Sequence, residues 1–191
     1  MPAQVMKPVL AMADTHVVIL AAGKGTRMQS ALPKVLHPVA GLPMAEYALR
    51  ATAPLDAAST TVVVGYGAER VQAALSQWEV AFATQAPQLG TGHALTQAES
   101  ALAGAKGTLV LLAGDVPLLR AATLRTLVAT HQQAGAAATV LTATVPRPFG
   151  YGRIVRARGR IARIVEERDA TPDQRDIREI NSGIYALDLA P

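Results

Sequence analysis

Residues 17–43 constrain the fold of this chain most strongly, because a run of buried-type residues leads directly into a loop of glycines and cations. The apolar run at residues 17–20 is typical of a central strand in a parallel sheet, where both faces of the strand are covered. Small residues come next and leave backbone N–H groups uncovered; they are Ala21, Ala22, Gly23 and Gly25. The segment therefore predicts an α/β fold with a ligand site at the carboxyl end of its first strand.

Three cations stand close to these glycines, namely Lys24, Arg27 and Lys34. Phosphate oxygens lose hydration when they bind, and uncovered N–H groups together with cations compensate for that loss. The loop is not of the Walker type, since no Gly-Lys-Ser or Gly-Lys-Thr ends it, and it lacks the third glycine of the dinucleotide fingerprint. The pattern predicts a nucleoside triphosphate site of another kind. A plain strand-to-helix turn with a solvated basic loop is the alternative.

Apolar strands alternate with helical patterns along most of the chain. The predicted strands lie near residues 16–21, 60–64, 79–83, 108–112 and 137–145, and the predicted helices near 43–52, 67–77, 91–103 and 120–134. This βαβ succession predicts a Rossmann-like, mostly parallel twisted sheet with helices on both faces. After Pro146 we expect a small β-hairpin around Gly159 and a strand in EINSGIYAL, which together form one wall of a cleft.

Composition excludes several classes of function. The 191 residues are most simply one domain, and the absence of cysteine excludes disulfides, thiolate zinc sites and cysteine nucleophiles. No apolar run approaches the roughly 20 residues of a membrane-spanning helix, so we expect a cytoplasmic protein without a membrane partner. The net charge of +4 and six arginines within residues 153–168 would allow a nucleic-acid partner. Their alternation with apolar residues favours a hairpin with one solvated face, and we expect no nucleic acid.

The wording LAAGKGTRM, followed by LPKVLHPVAG, resembles the signature of the sugar-1-phosphate nucleotidylyltransferases. With QLGTGHA at residues 88–94 and EINSGIY at residues 179–185, the chain is similar to the N-acetylglucosamine-1-phosphate uridylyltransferase domain of a bacterial bifunctional family that also carries a glucosamine-1-phosphate acetyltransferase. The resemblance covers nearly the whole chain from His16. It implies Mg²⁺-dependent formation of UDP-N-acetylglucosamine and pyrophosphate from UTP and N-acetylglucosamine 1-phosphate, for peptidoglycan and lipopolysaccharide synthesis.

The resemblance assigns the first loop and Asp115 to the phosphates and the metal. Lys24, Arg27 and Lys34 are the implied catalytic residues, with Arg27 placed for the leaving pyrophosphate and Lys34 near the α-phosphate. Asp115 in AGDVP would hold Mg²⁺, since one carboxylate is adequate when phosphate oxygens and water complete the shell. Taken alone, an aspartate just before Pro117 is equally an ordinary turn residue.

The resemblance also assigns residues to the base and to the sugar. Gln85 and Gly90 are implied to meet the uracil edge, with Ala22 and Gly23 in the same pocket. The implied sugar-side residues, around the small β-hairpin, are Gly152, Glu166 and Asn181. The further substrate-binding positions are Leu20, Ala21, Thr91, Ala113 and Gly114. The alternatives are an exposed polar strand end for Gln85, a turn for Gly152, pairing with nearby arginines for Glu166 and a strand-edge hydrogen bond for Asn181. His93 is expected to be a helix-start residue rather than a catalyst.

We expect an N-terminal extension over residues 1–14 and a C-terminally truncated nucleotidyltransferase domain over residues 15–191. The resembling family continues into a left-handed β-helix of hexapeptide repeats, which builds a trimer and carries the acetyltransferase, and no such repeat is present in this sequence. A later asparagine of that family, also a metal ligand, falls beyond Pro191. Two alternatives stay open, namely another sugar-phosphate nucleotidylyltransferase and a non-catalytic nucleotide-sugar binding fragment.

Overall fold

A mixed β-sheet runs through residues 15–189, the part of the chain that this computed structural model describes; the predicted extension at residues 1–14 lies outside it. The strands are β1 (Thr15–Ala21), β2 (Pro38–Val39), β3 (Leu42–Pro43), β4 (Ser59–Val64), β5 (Ala81–Thr84), β6 (Gly107–Ala113), β7 (Ala138–Thr144), β8 (Arg153–Ala157), β9 (Arg160–Val165) and β10 (Glu179–Leu189). The α-helices are α1 (Met44–Thr52), α2 (Ala68–Ala74), α3 (Thr91–Thr96), α4 (Ala121–Ala134) and α5 (Pro172–Arg175). Short 3-10 helices lie at Thr26–Met28, Lys34–Leu36, Ala53–Leu55, Ser100–Leu102 and Glu167–Asp169. None of the helices in this part is long and apolar enough to cross a bilayer.

Eight strands form one sheet in the order β5-β4-β1-β6-β10-β8-β9, with β7 also paired to β10. Strands β5, β4, β1 and β6 pair in parallel. Strand β10 runs antiparallel to β6, β7 and β8, so these three strands share the direction of the parallel group. Only β10 and the hairpin strand β9 are reversed, which confirms the predicted mostly parallel sheet.

The side chains of β1 alternate between two cores, because successive residues of a strand point to opposite faces of the sheet. Val17 and Ile19 pack with α1, α2 and α4 on one face, whereas Val18 packs with α3 on the other. Helices therefore cover both faces of the central strands, as predicted. This double burial explains why residues 17–20 are uniformly apolar.

The helix predicted over residues 91–103 is shorter than expected, because α3 ends at Thr96 and is followed by turns and a 3-10 helix. The apolar spacing of Leu95, Ala98 and Leu102 nevertheless continues, and all three pack against the second face of the sheet. Such spacing indicates which residues are buried, and α-helical and 3-10 backbones can both satisfy it. The sequence pattern therefore could not distinguish the two backbones.

Candidate active site

The predicted site residues lie along one edge of the sheet, where β1, β4, β5 and β6 end; we call it the carboxyl edge. Gln85 follows β5, Ala22 follows β1 and Asp115 follows β6. Because β10 is antiparallel to β6, its first residues, with Asn181 among them, reach past the same edge. Neighbouring strands lie about 4.8 Å apart, so the four intervals from β5 to β10 span about 19 Å. An extended ligand can therefore contact all of these strand ends.

A cleft of about 430 Å³ opens at the carboxyl edge between the ends of β1 and β6. It is lined by Leu20, Gly23, Gly25, Thr26, Arg27, Met28, Lys34, Val35 and Asp115. Gly25 has a φ of +63°, and a Cβ at this position would stand 2.6 Å from the Cβ of Lys34. Only glycine therefore lets the first loop pack closely on Lys34. Of the predicted residues, the cleft thus brings together Leu20, Gly23, Gly25, Arg27, Lys34 and Asp115.

Lys34 and Asp115 form an ion pair inside the cleft, between the ammonium Nζ and the carboxylate Oδ2. The turn that carries Asp115 is held to β1, because the backbone N–H of Gly114 donates to the carbonyl of Leu20 at 2.8 Å. The side chains of Lys34 and Asp115 keep 40% and 25% of their surface exposed. Both charged groups are thus accessible, and an incoming ligand can separate them.

The other two predicted cations occupy different positions. Arg27 is exposed and lines the cleft from the 3-10 helix at Thr26–Met28. Lys24 is not among the lining residues, and its ammonium lies 5.5 Å from the centre of the Tyr66 ring, within cation–π range. The phosphate contact of Lys24 therefore stays a prediction, whereas Arg27 already faces the cleft.

Gln85, Gly90 and His93 form a hydrogen-bonded group that we call the β5 corner. The backbone N–H of Gln85 donates to the carbonyl of Val64 at 2.7 Å, which continues the β4–β5 pairing by one residue. Its side-chain Nε2 donates to the carbonyl of Gly90 at 3.0 Å and lies 3.0 Å from Nδ1 of His93. Gln85 is buried, unlike an ordinary polar strand end. A Cβ on Gly90 would meet no atom within 4 Å, so the space beside its α-carbon is open.

Gly65 belongs to this region, although the sequence motifs did not single it out. A Cβ at Gly65 would stand 2.9 Å from the Cβ of Ala22 and 2.9 Å from Nε2 of Gln88. The end of β4 therefore packs tightly between the first loop and the segment after β5. A signal was present in the sequence, because Gly65 directly follows the apolar strand, as Gly114 comes just after β6.

Gly152, Glu166 and Asn181 also come together, and we call this group the β10 corner. The backbone N–H of Asn181 donates to the carbonyl of Gly152 at 2.8 Å. A Cβ on Gly152 would stand 3.2 Å from Oε1 of Glu166 and 3.5 Å from the Cβ of Asn181. The three predicted sugar-side residues are therefore neighbours, although they come from three separate stretches of the chain.

Tyr185 joins the β10 corner, and the sequence analysis missed it as a site residue. Burial raises the pKa of the Tyr185 hydroxyl, a hydrogen bond with Asn181 opposes that rise, and the nearby Glu166 carboxylate adds to it. The hydroxyl thus stays protonated and lies beside an amide and a carboxylate. The sequence did contain a signal for Tyr185, because it is the final residue of the EINSGIY motif.

An ion pair between Arg153 and Glu167 connects the start of β8 to the 3-10 helix at Glu167–Asp169, beside the β10 corner. Nη2 of Arg153 lies 2.7 Å from Oε2 of Glu167, and the backbone N–H of Gly150 donates to the same oxygen at 2.9 Å. The Gly150 hydrogen bond, followed by that of Arg153, holds the pKa of Glu167 below its ordinary value of 4.5. Arg153 is only 1% exposed, so its interpretation as a solvated hairpin arginine is wrong. The reason is that it begins β8 opposite Ile180, where the hairpin joins the sheet.

Comparisons with known proteins agree with this geometry. The model of the MobA-like NTP transferase domain matches residues 17–180. The chain is 56% identical over 171 residues to bifunctional protein GlmU of Syntrophotalea carbinolica, covering 90% of this chain and 37% of that protein. It is 50% identical over 178 residues to bifunctional protein GlmU of Shouchella clausii, covering 93% and 39%. The resemblance predicted from the motifs is confirmed. The chain spans less than two fifths of the length of these relatives.

A solved structure shares the fold. It is a Bacillus anthracis protein assigned as a glucose-1-phosphate thymidylyltransferase and crystallised with sucrose, and it matches this chain with a TM-score of 0.73. The match covers 93% of this chain and 76% of that chain at 22% sequence identity. Similarity at this level shows the α/β architecture that the sequence predicted.

Proposed function

The chain belongs to the MobA-like NTP transferase domain family, and on that premise we propose that it transfers a uridylyl group from UTP to N-acetylglucosamine 1-phosphate. The products are UDP-N-acetylglucosamine, a precursor of peptidoglycan and lipopolysaccharide, and pyrophosphate. The observation that carries the proposal is the order of groups along the carboxyl edge. The β5 corner would take the base, the cation-lined cleft the phosphates and the β10 corner the sugar, in the order of these parts in the product.

The reaction needs positioning and charge neutralisation more than proton transfer. A phosphate oxygen of the sugar phosphate attacks the α-phosphorus of UTP in line, a new P–O bond forms, and the bond from that phosphorus to the pyrophosphate oxygen breaks. The attacking phosphate has a second pKa near 6 and is mostly dianionic at neutral pH, so no general base is required. Arg27 would neutralise the departing pyrophosphate, and Lys34 the α-phosphate region. The uncovered N–H groups of the first loop would supplement these cations.

Asp115 is the residue that would hold a divalent cation, which we propose to be Mg²⁺. No group of three or more His, Cys, Asp or Glu side chains within the described residues could bind a metal ion on its own. A single carboxylate fits a Mg²⁺ site that phosphate oxygens and water complete. When bound, the ion would neutralise charge on the phosphates. Lys34 would then leave Asp115, and phosphate oxygens are acceptors suited to its ammonium group.

The β10 corner offers the polar groups that a sugar needs. The Asn181 amide, the exposed Glu166 carboxylate and the Tyr185 hydroxyl supply donors and acceptors for hydroxyl and acetamido groups. Gly152 lets Glu166 and Asn181 come close together, because a side chain there would crowd both. The ion pair of Arg153 would keep these groups in place.

The test is pyrophosphate release from UTP and Mg²⁺, measured with and without N-acetylglucosamine 1-phosphate. The variant Lys34→Met should lose most of this activity, and Lys106→Met is the matched control, because Lys106 is exposed and lies before β6, at the opposite end of that strand from the cleft. Faster release with another triphosphate or another sugar phosphate would indicate a different nucleotidylyltransferase. Binding of UTP and product without release would indicate a binding module. The absence of both binding and release would refute the proposal.

A further inference from the structure

The side-chain amide of Gln85 has one orientation that suits its surroundings. The amide atom assigned as Nε2 lies 3.0 Å from the carbonyl oxygen of Gly90 and 3.0 Å from Nδ1 of His93. A backbone carbonyl can only accept hydrogen bonds, so the atom that faces it has to be the NH₂ group. In the reversed orientation, the amide oxygen of Gln85 would lie 3.0 Å from the carbonyl oxygen of Gly90, and two acceptors would face each other. The Gly90 carbonyl therefore decides which end of the amide points inward.

His93 completes this arrangement. One hydrogen of the NH₂ group goes to Gly90, and the second points at Nδ1 of His93. Nδ1 then has to accept, so the neutral imidazole carries its proton on Nε2. The amide nitrogen of Gln97 lies 3.4 Å from that nitrogen and donates to the His93 carbonyl at 3.1 Å, so Gln97 does not accept this proton. Both hydrogens of the Gln85 amide are thus committed within the protein.

The amide oxygen is the part of Gln85 that remains for a ligand. Within the described residues, Oε1 accepts no side-chain hydrogen bond, and it is not among the fully buried atoms that lack a partner. Among residues 15–189, nothing therefore occupies this oxygen at the end of β5, and the whole residue is only 3% exposed. The β5 corner consequently presents an acceptor, and not a donor, through this side chain.

We propose that His93 is a specificity-determining residue, because it fixes the Gln85 amide with its oxygen toward the base. The inference rests on the proposed function, in which the β5 corner receives the base of the triphosphate. An acceptor in this position attracts the N3–H of uracil or thymine. It repels the unprotonated N3 of cytosine, which carries a lone pair. His93 is thus a positioning residue that acts through Gln85.

The experiment compares equilibrium binding of UTP and CTP to the wild type, His93→Leu, His93→Asn and Thr96→Ala. Leucine removes the acceptor, asparagine restores an oxygen near the position of Nδ1, and Thr96 is a control one turn further along α3. The UTP preference over CTP should fall about tenfold in His93→Leu, since one net hydrogen bond is worth about that factor. It should stay within about twofold of the wild type in the other two variants. Because the preference is a ratio within one variant, partial unfolding cancels.

A second measurement needs no nucleotide. Nitrogen-15 NMR of the imidazoles above the titration range of histidine should show His93 with a bare Nδ1 and a protonated Nε2. A proton on Nδ1, or an unchanged UTP preference in His93→Leu, would overturn the inference while UTP binding itself stands. Failure of the wild type to bind UTP, with the predicted tautomer present, would instead overturn the proposed function.

Discussion

Replacement of Gly25 with alanine tests the packing of the first loop on Lys34. Gly25 has a φ of +63°, in the left-handed region, and its added Cβ would stand 2.6 Å from the Cβ of Lys34. The atom it meets is bonded directly to the backbone, so rotation of the Lys34 side chain cannot relieve the contact. The first loop and the 3-10 helix at Lys34–Leu36 would have to move apart.

Gly25→Ala is expected to lower both the unfolding free energy and the reaction rate. Alanine in a left-handed conformation costs about 1–2 kcal/mol of unfolding free energy. For a domain of this size that amounts to a fall of about 2–8 °C in the unfolding midpoint. Restoring ordinary contact distance requires a separation of about 1 Å between the loop and Lys34, and misplacement of that size can cost about 100-fold in rate. Gly25→Ala should therefore lose both stability and the proposed uridylyl transfer.

Gly23→Ala is the matched control, because a Cβ at Gly23 would meet no atom within 4 Å and its φ is not in the left-handed region. Its methyl group would enter the cleft that Gly23 lines, so nucleotide binding should weaken while the unfolding midpoint stays at the wild-type value. Thermal unfolding followed by circular dichroism, together with UTP titration, separates the two effects. A Gly25→Ala protein that unfolds at the wild-type temperature would refute the reasoning.

Three further predictions concern the charged groups. Asp115→Ala should abolish pyrophosphate release without lowering the unfolding midpoint, because its carboxylate and its Lys34 partner are both partly exposed to solvent; unchanged activity at saturating Mg²⁺ would remove its metal role. The pKa of Glu167 is lowered, first by the Gly150 amide and then by Arg153, so its stabilisation is present above its ordinary value of 4.5 and is lost as pH falls through the folded-state pKa. The midpoint difference between wild type and Glu167→Gln should therefore shrink as the pH falls from above 4.5 through the lowered folded-state pKa, and a constant difference would contradict this. Arg153→Leu should lower the midpoint more than Arg156→Leu does, since only Arg153 is buried, and equal effects would count against a role for that ion pair.

The sequence predicted the elements near the first loop well, for local reasons. Residues 17–20 have the apolar character of a doubly covered strand, and the structure buries them between helices on both faces. The glycines follow β1 and the aspartate follows β6. Because the βαβ order makes these two strands parallel, both groups lie at the same edge of the sheet. Helix and strand types were therefore predictable, whereas the end of α3 was not, because helical spacing does not fix the type of backbone.

The amino-acid sequence by itself determined the strand and helix types, the glycines and cations of the first loop and the family, since these depend on residues close together in the chain. Only the tertiary structure decided that β10 lies between β6 and β7, that Lys34 pairs with Asp115, and that Arg153 is buried. It also decided that both donors of Gln85 are used inside the protein. The physical reason is that hydrogen-bond partners and burial at these positions are set by strand register and by loops that meet from distant parts of the chain.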